Sequence, residues 1–137
     1  MTMYLNFKLF SWENIDDYIN LLNKIEIQNK TDNNHNLKQI KEKLSYPFYN
    51  PHKNLFIVSN NNSQNIGYLL LIEEKRIQRV IVEIRILKNY QDESTQTEFL
   101  NKALELTKFL SIKYINIQID EYDNLMQLCL KRNKFTK

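Results

Sequence analysis

The sequence predicts a single domain of the mixed α/β class, with the element order β-α-α-β-β-β-α-β-α. Three observations lead to this prediction. Five short segments have the alternating or continuous apolar residues of strands, other segments repeat apolar residues at helical spacing, and no linker or internal repeat divides residues 1–137. Consecutive strands between residues 55 and 87 predict an antiparallel meander, and the strand–helix–strand unit that follows predicts one parallel, right-handed crossover.

The chain begins with a predicted strand and an amphipathic helix. Residues 3–10 alternate between apolar and polar side chains, with Met3, Leu5, Phe7 and Leu9 on the face expected to be buried. Ser11 is suited to cap the following helix, whose first turns carry three acidic residues. That helix is predicted to extend to about Ile25 on an apolar stripe formed by Trp12, Ile15, Ile19, Leu22 and Ile25.

A polar loop at residues 28–36 separates this helix from a second, shorter one. Asn34 or Asn36 is placed to cap the second helix. Pro47 and Pro51 end it, because proline lacks an N–H and disfavours helical backbone at the residue before it. The apolar side of this helix consists of Leu37, Ile40 and Leu44.

The meander is predicted from three strand-like segments at residues 55–59, 66–73 and 79–87. The third of these segments has four apolar residues on one face: Val80, Val82, Ile84 and Ile86. Its other face carries Glu83 and Arg85. A polar loop at residues 89–94, a helix at 97–110 and a strand at 114–119 follow, and Asp123 is placed to cap a final helix.

Composition excludes several classes of function. The single glycine, Gly67, rules out a Walker loop and a GxGxxG fingerprint, which need several glycines near phosphate. A net charge of +3 is too balanced to predict specific nucleic-acid binding, and no apolar run is long enough to predict a membrane span. His35 and His52 lie in separate polar loops, so we expect no metal site. The lone Cys129 predicts a cytoplasmic protein without an internal disulfide.

The order of elements resembles the GNAT superfamily of acyl-CoA N-acyltransferases, and two segments carry the resemblance. FKLFSWENIDDYINLLNKI is similar to the first strand and helix of that family. NLFIVSNNNSQNIGYLLL is similar to its second and third strands, with Gly67 at the glycine that commonly opens the third. The resemblance covers nearly the whole chain and implies a GNAT-like mixed sheet with acetyl-CoA as co-substrate.

The segment ILKNYQDESTQ is similar to part of the family's cofactor motif, Val-x-Pro-x-x-Arg/Gln-x-x-Gly-x-Gly/Ala. Ile86 stands at the Val position, Gln91 at the Arg/Gln position, and Ser94 and Gln96 at the two small-residue positions. The resemblance implies that the strand from Ile84 pairs with the cofactor and that the following helix start holds its pyrophosphate. The implied cofactor-binding residues are Ile84, Ile86, Leu87, Lys88, Gln91, Ser94, Thr95, Gln96 and Asp123.

Two departures from this motif predict weakened phosphate binding. Gln96 is long, so it would either occlude the phosphate cradle or fold outward. Asp92 and Glu93 add negative charge beside a site for about four phosphate charges. At an effective dielectric constant near 20, two like charges 6 Å apart repel by about 3 kcal/mol before screening.

The resemblance implies one candidate base and one candidate acid. Glu83 is the candidate general base, because relatives often carry a glutamate on this strand; a solvated or arginine-paired glutamate is the alternative. DNLMQLCLKRNKF falls on the family's last motif, with Leu130 in place of a tyrosine that serves as general acid in many relatives. Leu130 cannot donate a proton, so Tyr122 is the candidate substitute.

Two surfaces are candidates for binding an acceptor or a partner. Tyr46, Phe48 and Tyr49 form an aromatic loop, which either borders the acceptor pocket, contacts a protein, or only stabilises the surface. Family chains continue into two further strands, which we expect to be missing here, so the strand at 114–119 is expected to present an open edge. A second copy, a protein partner, or the remainder of a larger protein would cover that edge.

Two functions therefore follow from the sequence. The first is an acetyltransferase that moves an acetyl group from acetyl-CoA to an amine. The second is a GNAT-like domain that has lost catalysis and binds a protein partner or a small-molecule signal. Fold alone does not decide between them.

Overall fold

Five strands form one mixed sheet in the computed structural model, which describes residues 5–31, 34–108, 110 and 112–119. Their spatial order follows the sequence: β1 (Asn6–Leu9), β2 (Leu55–Ser59), β3 (Asn65–Glu74), β4 (Arg79–Ile86) and β5 (Tyr114–Ile119). The first four strands pair antiparallel and β5 pairs parallel to β4. The predicted meander and parallel crossover are confirmed, and the mixed sheet matches the GNAT-like fold that was expected.

Four α-helices are present in the described residues: α1 (Ile15–Gln28), α2 (Leu37–Leu44), α3 (Pro51–Asn54) and α4 (Glu93–Thr107). Single 3₁₀ turns at residues 12–14, 75–77 and 88–90 precede α1, join β3 to β4, and follow β4. Asn36 caps α2 by accepting a hydrogen bond from the Gln39 amide at 2.9 Å. The expected final helix and its cap, Asp123, lie outside the described residues.

Three boundaries differ from the sequence expectation. Strand β1 is four residues long, and Leu9 is exposed rather than buried, because the chain turns into Phe10, whose side chain enters the core instead. Helix α3 was not predicted; Pro51 opens it, where its missing N–H has no intrahelical partner to lose. Helix α4 begins at Glu93, four residues earlier than predicted, because Asp92 accepts a hydrogen bond from the Thr95 amide and caps it.

The sheet separates two hydrophobic cores. Helices α1 and α2 cover one face, where the core includes Tyr18, Leu22, Ile40, Leu55 and Tyr68. Helix α4 covers the other face, where the core includes Val58, Val82, Ile84, Ile86 and Phe99. Strand β4 therefore presents its even-numbered residues to α4 and its odd-numbered residues to α1 and α2. Among the described residues, no helix has the length and apolar character that crossing a membrane requires.

Gly67 is needed because β4 approaches it closely. It pairs with Ile86, and a Cβ placed on it would lie 2.5 Å from the Arg85 carbonyl oxygen and 3.1 Å from the Phe99 ring. Neither contact is relieved easily, since one involves backbone and the other a fully buried ring.

We expect Gly67→Ala to lower the free energy of unfolding by about 1–3 kcal/mol, measured by urea denaturation. Asn61→Ala, in the exposed turn before β3, is the control, and an unchanged midpoint for Gly67→Ala would contradict the packing described.

Candidate functional site

The candidate base, Glu83, lies on the α1 side of β4. Its carboxylate is half-buried and accepts a hydrogen bond from the Tyr68 hydroxyl, with 2.9 Å between that oxygen and Oε1. Tyr68 is on the neighbouring strand β3 and is fully buried. Within the described part of the chain, Oε2 of Glu83 accepts no hydrogen bond. One carboxylate oxygen is therefore held in place while the other can accept a proton or an N–H.

Two buried tyrosines stand behind this carboxylate. Tyr18 projects from α1 and meets Tyr68 edge to face, with ring centroids 5.3 Å apart. Burial raises the pKa of both hydroxyls well above the ordinary value, and the negative charge of Glu83 raises each pKa further. Both tyrosines are thus protonated at neutral pH, so the bond from Tyr68 to Glu83 is a neutral hydroxyl donating to a carboxylate.

An ion pair between Glu26 and Arg85 connects α1 to β4. Arg85 Nη1 lies 3.0 Å from Glu26 Oε1, and the Glu26 side chain is only 6% exposed. Thr31 also donates its hydroxyl to the Glu26 carboxylate, and His35 Nε2 lies 3.5 Å from Oε1. Burial alone would raise the pKa of Glu26, but these contacts outweigh it and lower the pKa to about 2. His35, from the polar loop after α1, is part of this network, and Asn23 makes two hydrogen bonds with the His35 backbone.

The aromatic loop packs, through Tyr49, on the core that contains Tyr18 and Tyr68. Tyr49 is half-buried against the core beneath α1 and α2, and the pKa of its hydroxyl is raised by burial and by the charge of Glu83. Phe48 packs on Tyr49 with ring centroids 4.9 Å apart, and Tyr46 stacks parallel to Phe48 at 5.8 Å. Tyr46 and Phe48 are 56% and 50% exposed. Aromatic surface therefore runs outward to solvent from the core that contains Tyr68, the partner of the candidate base.

The cofactor residues expected on β4 divide between its two faces. The side chains of Ile84 and Ile86 are buried in the core beneath α4, so only their backbone can meet a ligand. Leu87 packs on the opposite core, and Lys88 is exposed in the 3₁₀ turn after the strand. In the described residues, the pairing of β4 with β5 ends at Ile84 and Ile119. Just after β4, the Leu87 amide donates to the Ile66 carbonyl of β3 at 2.8 Å, and the Lys88 amide donates to the side-chain oxygen of Gln28.

Side chains from the following loop occupy part of the predicted phosphate site. The Gln91 amide nitrogen donates to the Ile86 carbonyl at 2.8 Å. Asp92 Oδ1 accepts from the Thr95 amide at 2.8 Å, which places a carboxylate on the N-terminus of α4. Ser94 is exposed, whereas Thr95 is buried. Gln96 is also fully buried, so its side chain folds inward rather than outward as one alternative had it.

The sequence pointed to some of these residues and missed others. The structure packs Tyr49 on the core that contains Tyr68, the donor to Glu83, and it places Gln91 in the loop before α4 and Ser94 in the first turn of that helix. Tyr122 and Asp123 lie outside the described residues. The cluster of Tyr18, Glu26, Tyr68 and Arg85 was not predicted to act together. The sequence could have indicated this cluster, since Tyr18 and Glu26 carry polar groups on the buried face of α1, where a polar group needs a partner.

Solved structures with the same fold include several acetyltransferases. An acetyltransferase of the GNAT family from Staphylococcus aureus Mu50 has a TM-score of 0.74 at 16% identity, over 97% of this chain and 85% of that one. The spermidine N-acetyltransferase from Vibrio cholerae, solved with CoA and spermine, scores 0.67 at 17% identity over 94% and 78%. An aminoglycoside acetyltransferase from an uncultured soil metagenomic sample scores 0.66 at 15% identity over 100% and 94%. No protein-family model matches the sequence, and no curated protein matches it significantly.

The Glu26 network makes stability depend on pH. The pKa of Glu26 falls from 4.5 to about 2 on folding, so its stabilisation is complete above the unfolded value and is lost as the pH falls from about 5 to about 2. The shift corresponds to about 3 kcal/mol at neutral pH. We expect Glu26→Gln to lower the unfolding free energy by about this amount at pH 7 and to flatten its dependence on pH, measured by urea denaturation between pH 7 and pH 3.

Glu105→Gln, on the exposed side of α4, is the matched control for this prediction and should run parallel to the wild type. A Glu26→Gln curve that stays parallel to the wild-type curve across the whole range would contradict the assignment.

Proposed function

Because the chain has the fold of the GNAT acetyltransferases, we propose that it transfers an acetyl group from acetyl-CoA to an amine, with Glu83 as general base. The observation that carries the proposal is the Glu83 carboxylate, half-buried and held on one oxygen by Tyr68, with its second oxygen able to accept. A base needs a defined position and an available lone pair, and this arrangement supplies both.

The residues of the chain fit acetyl-CoA in part. The backbone from Ile84 to Lys88 is the proposed pairing edge for its pantetheine arm, since that stretch extends beyond the described pairing with β5. The arm would replace the side chains of Gln91 and Gln28, which bond to the Ile86 carbonyl and the Lys88 amide. The α4 N-terminus is the proposed phosphate site, where Ser94 is exposed and can donate a hydroxyl. Asp92 and Glu93 oppose phosphate binding there, so we expect weak affinity rather than none.

The proposed chemistry is direct transfer without a covalent enzyme intermediate. Acetyl-CoA supplies an activated thioester, whose C–S bond breaks as the N–C bond forms, and the departing thiolate takes up a proton from water. Glu83 accepts the proton that the amine loses as the new N–C bond forms. Tyr68 and Tyr18 keep the carboxylate in place, and the aromatic loop of Tyr46, Phe48 and Tyr49 is the proposed wall against which the acceptor lies.

Calorimetric titration with acetyl-CoA in moderate salt is the primary test of this function. Saturable binding in the micromolar range supports the acetyltransferase and justifies a screen of amines. Absence of binding at millimolar acetyl-CoA would contradict the proposed acetyltransferase function.

A second function is favoured by the acidic start of α4 and by the exposed rings of Tyr46 and Phe48. In this alternative the domain has lost catalysis and binds a protein or a small-molecule signal. The outer edge of β5 is the proposed contact, either with a second copy or with another protein. Light scattering at high concentration tests contact with a second copy: a strictly monomeric protein argues against a homodimer.

The cytoplasm remains the proposed compartment for either function.

Substitution of the candidate base separates transfer from binding. We expect Glu83→Gln to reduce the rate of acetyl transfer by roughly 10²- to 10⁴-fold, the usual contribution of a positioned base. The dissociation constant for acetyl-CoA, measured by calorimetry, should stay within about twofold of the wild type, because Glu83 faces α1 rather than the α4 N-terminus. Glu105→Gln is the control for loss of a carboxylate, and an unchanged transfer rate in Glu83→Gln would remove Glu83 from the mechanism.

Removal of the charge at the α4 cap should strengthen acetyl-CoA binding. Asparagine caps a helix as well as aspartate does, so Asp92→Asn keeps the bond to the Thr95 amide and removes only the charge. For exposed charges about 6 Å apart, relief of repulsion predicts a roughly three- to tenfold lower dissociation constant at low salt, diminishing as salt is added. Asp16→Asn, in the first turn of α1, is the matched control. A weaker or unchanged affinity in Asp92→Asn would place the phosphates elsewhere.

A further inference from the structure

The face of Tyr49 already holds an alkylammonium group that belongs to the chain itself. Lys43 Nζ lies 5.6 Å from the centroid of the Tyr49 ring, within the range of a cation–π contact. Lys43 is half-buried, so its butyl stem is packed and not merely extended into solvent. The side chain beyond Cα is chemically a butylammonium, and the ring therefore binds the kind of group that a linear amine presents.

Two successive turns of backbone build this contact. The Tyr46 amide donates to the Lys43 carbonyl at 3.3 Å, and the Tyr49 amide donates to the Tyr46 carbonyl at 3.1 Å. These bonds fold the segment after α2 back on itself, so that Tyr49 returns to its own helix end. The same ring packs on the core that contains Tyr68, whose hydroxyl donates to Glu83. Burial and the charge of Glu83 both raise the pKa of Tyr49.

We propose that the face of Tyr49 is a subsite for the second ammonium group of a linear diamine or polyamine acceptor, and that Lys43 fills this subsite until the acceptor displaces it. The inference rests on the proposed function, in which Glu83 takes the proton of the reacting amine. An acceptor with two or more ammonium groups separated by methylene chains places one group near Glu83 and another on the ring. The exposed rings of Phe48 and Tyr46 extend the surface for a longer chain.

The test is a calorimetric titration with spermidine in the absence of acetyl-CoA, which keeps binding separate from transfer. Lys43→Met keeps an unbranched side chain and removes the ammonium group, so we expect spermidine to bind about two- to fivefold more tightly, the value of one cation–π contact at a partly exposed site. Lys41→Met, exposed on the same helix, is the matched control and should leave the affinity unchanged.

A double variant distinguishes a ring contact from simple relief of charge repulsion. In Lys43→Met/Tyr49→Leu the gain should vanish, whereas in Lys43→Met/Tyr49→Phe it should persist, since phenylalanine keeps the ring face and guards against a general loss of folding. The proposal is overturned if Lys43→Met binds spermidine no more tightly than the wild type, if the gain survives Tyr49→Leu, or if no variant binds spermidine at millimolar concentration. Spermidine binding with the expected pattern but no transfer in the presence of acetyl-CoA would instead overturn the proposed function and leave the subsite standing.

Discussion

The contact between the C-terminal turns of α1 and the end of β4 is the constraint on which the candidate site depends. Glu26 and Arg85 meet there with side chains that are 6% and 20% exposed, and Thr31 and His35 add contacts to the carboxylate. A buried charge without its counterpart is strongly unfavourable, so α1 cannot slide along the sheet without breaking this pair. The position of α1 in turn brings the Tyr18 ring against the Tyr68 ring, and the Tyr68 hydroxyl holds the carboxylate of Glu83 by a hydrogen bond.

Alternating side chains let β4 carry polar groups on one face and contribute to the hydrophobic core on the other. Glu83 and Arg85 face α1 and α2, where polar contacts and aromatic rings gather, while Ile84 and Ile86 face α4 and belong to the hydrophobic core. Neighbouring residues of a strand point to opposite faces, so side-chain chemistry and core packing do not compete for the same positions. What both faces share is the strand backbone, which runs past the last described pair with β5.

The N-terminus of α4 shows a conflict between stability and anion binding. Asp92 is a good cap because its carboxylate accepts from the Thr95 amide and complements the helix dipole. Those same amides and that same dipole are what attract a phosphate to a helix start. An aspartate at this position thus stabilises the helix at the expense of anion affinity, and a neutral cap would reverse the balance.

The order of the five strands and of α1, α2 and α4, the antiparallel meander, the parallel crossover and the face of β4 on which Glu83 lies were predictable from the sequence, because they follow from the periods of 2 and 3.6 residues in apolar side chains. The start of α4 and the existence of α3 were missed, since both depend on capping and proline effects at single residues, Asp92 and Pro51. Spacing within one element carries such information only weakly.

The sequence by itself thus determined which residues of β4 lie on each face of the sheet. Only the tertiary structure decided which polar groups on the buried face meet: Glu26 and Arg85 are 59 positions apart, and the Lys43 ammonium reaches the Tyr49 ring only through two turns of backbone. The physical reason is that burial follows from the spacing of apolar residues within one element. A hydrogen bond or an ion pair instead depends on distances of a few ångströms between segments that folding brings together.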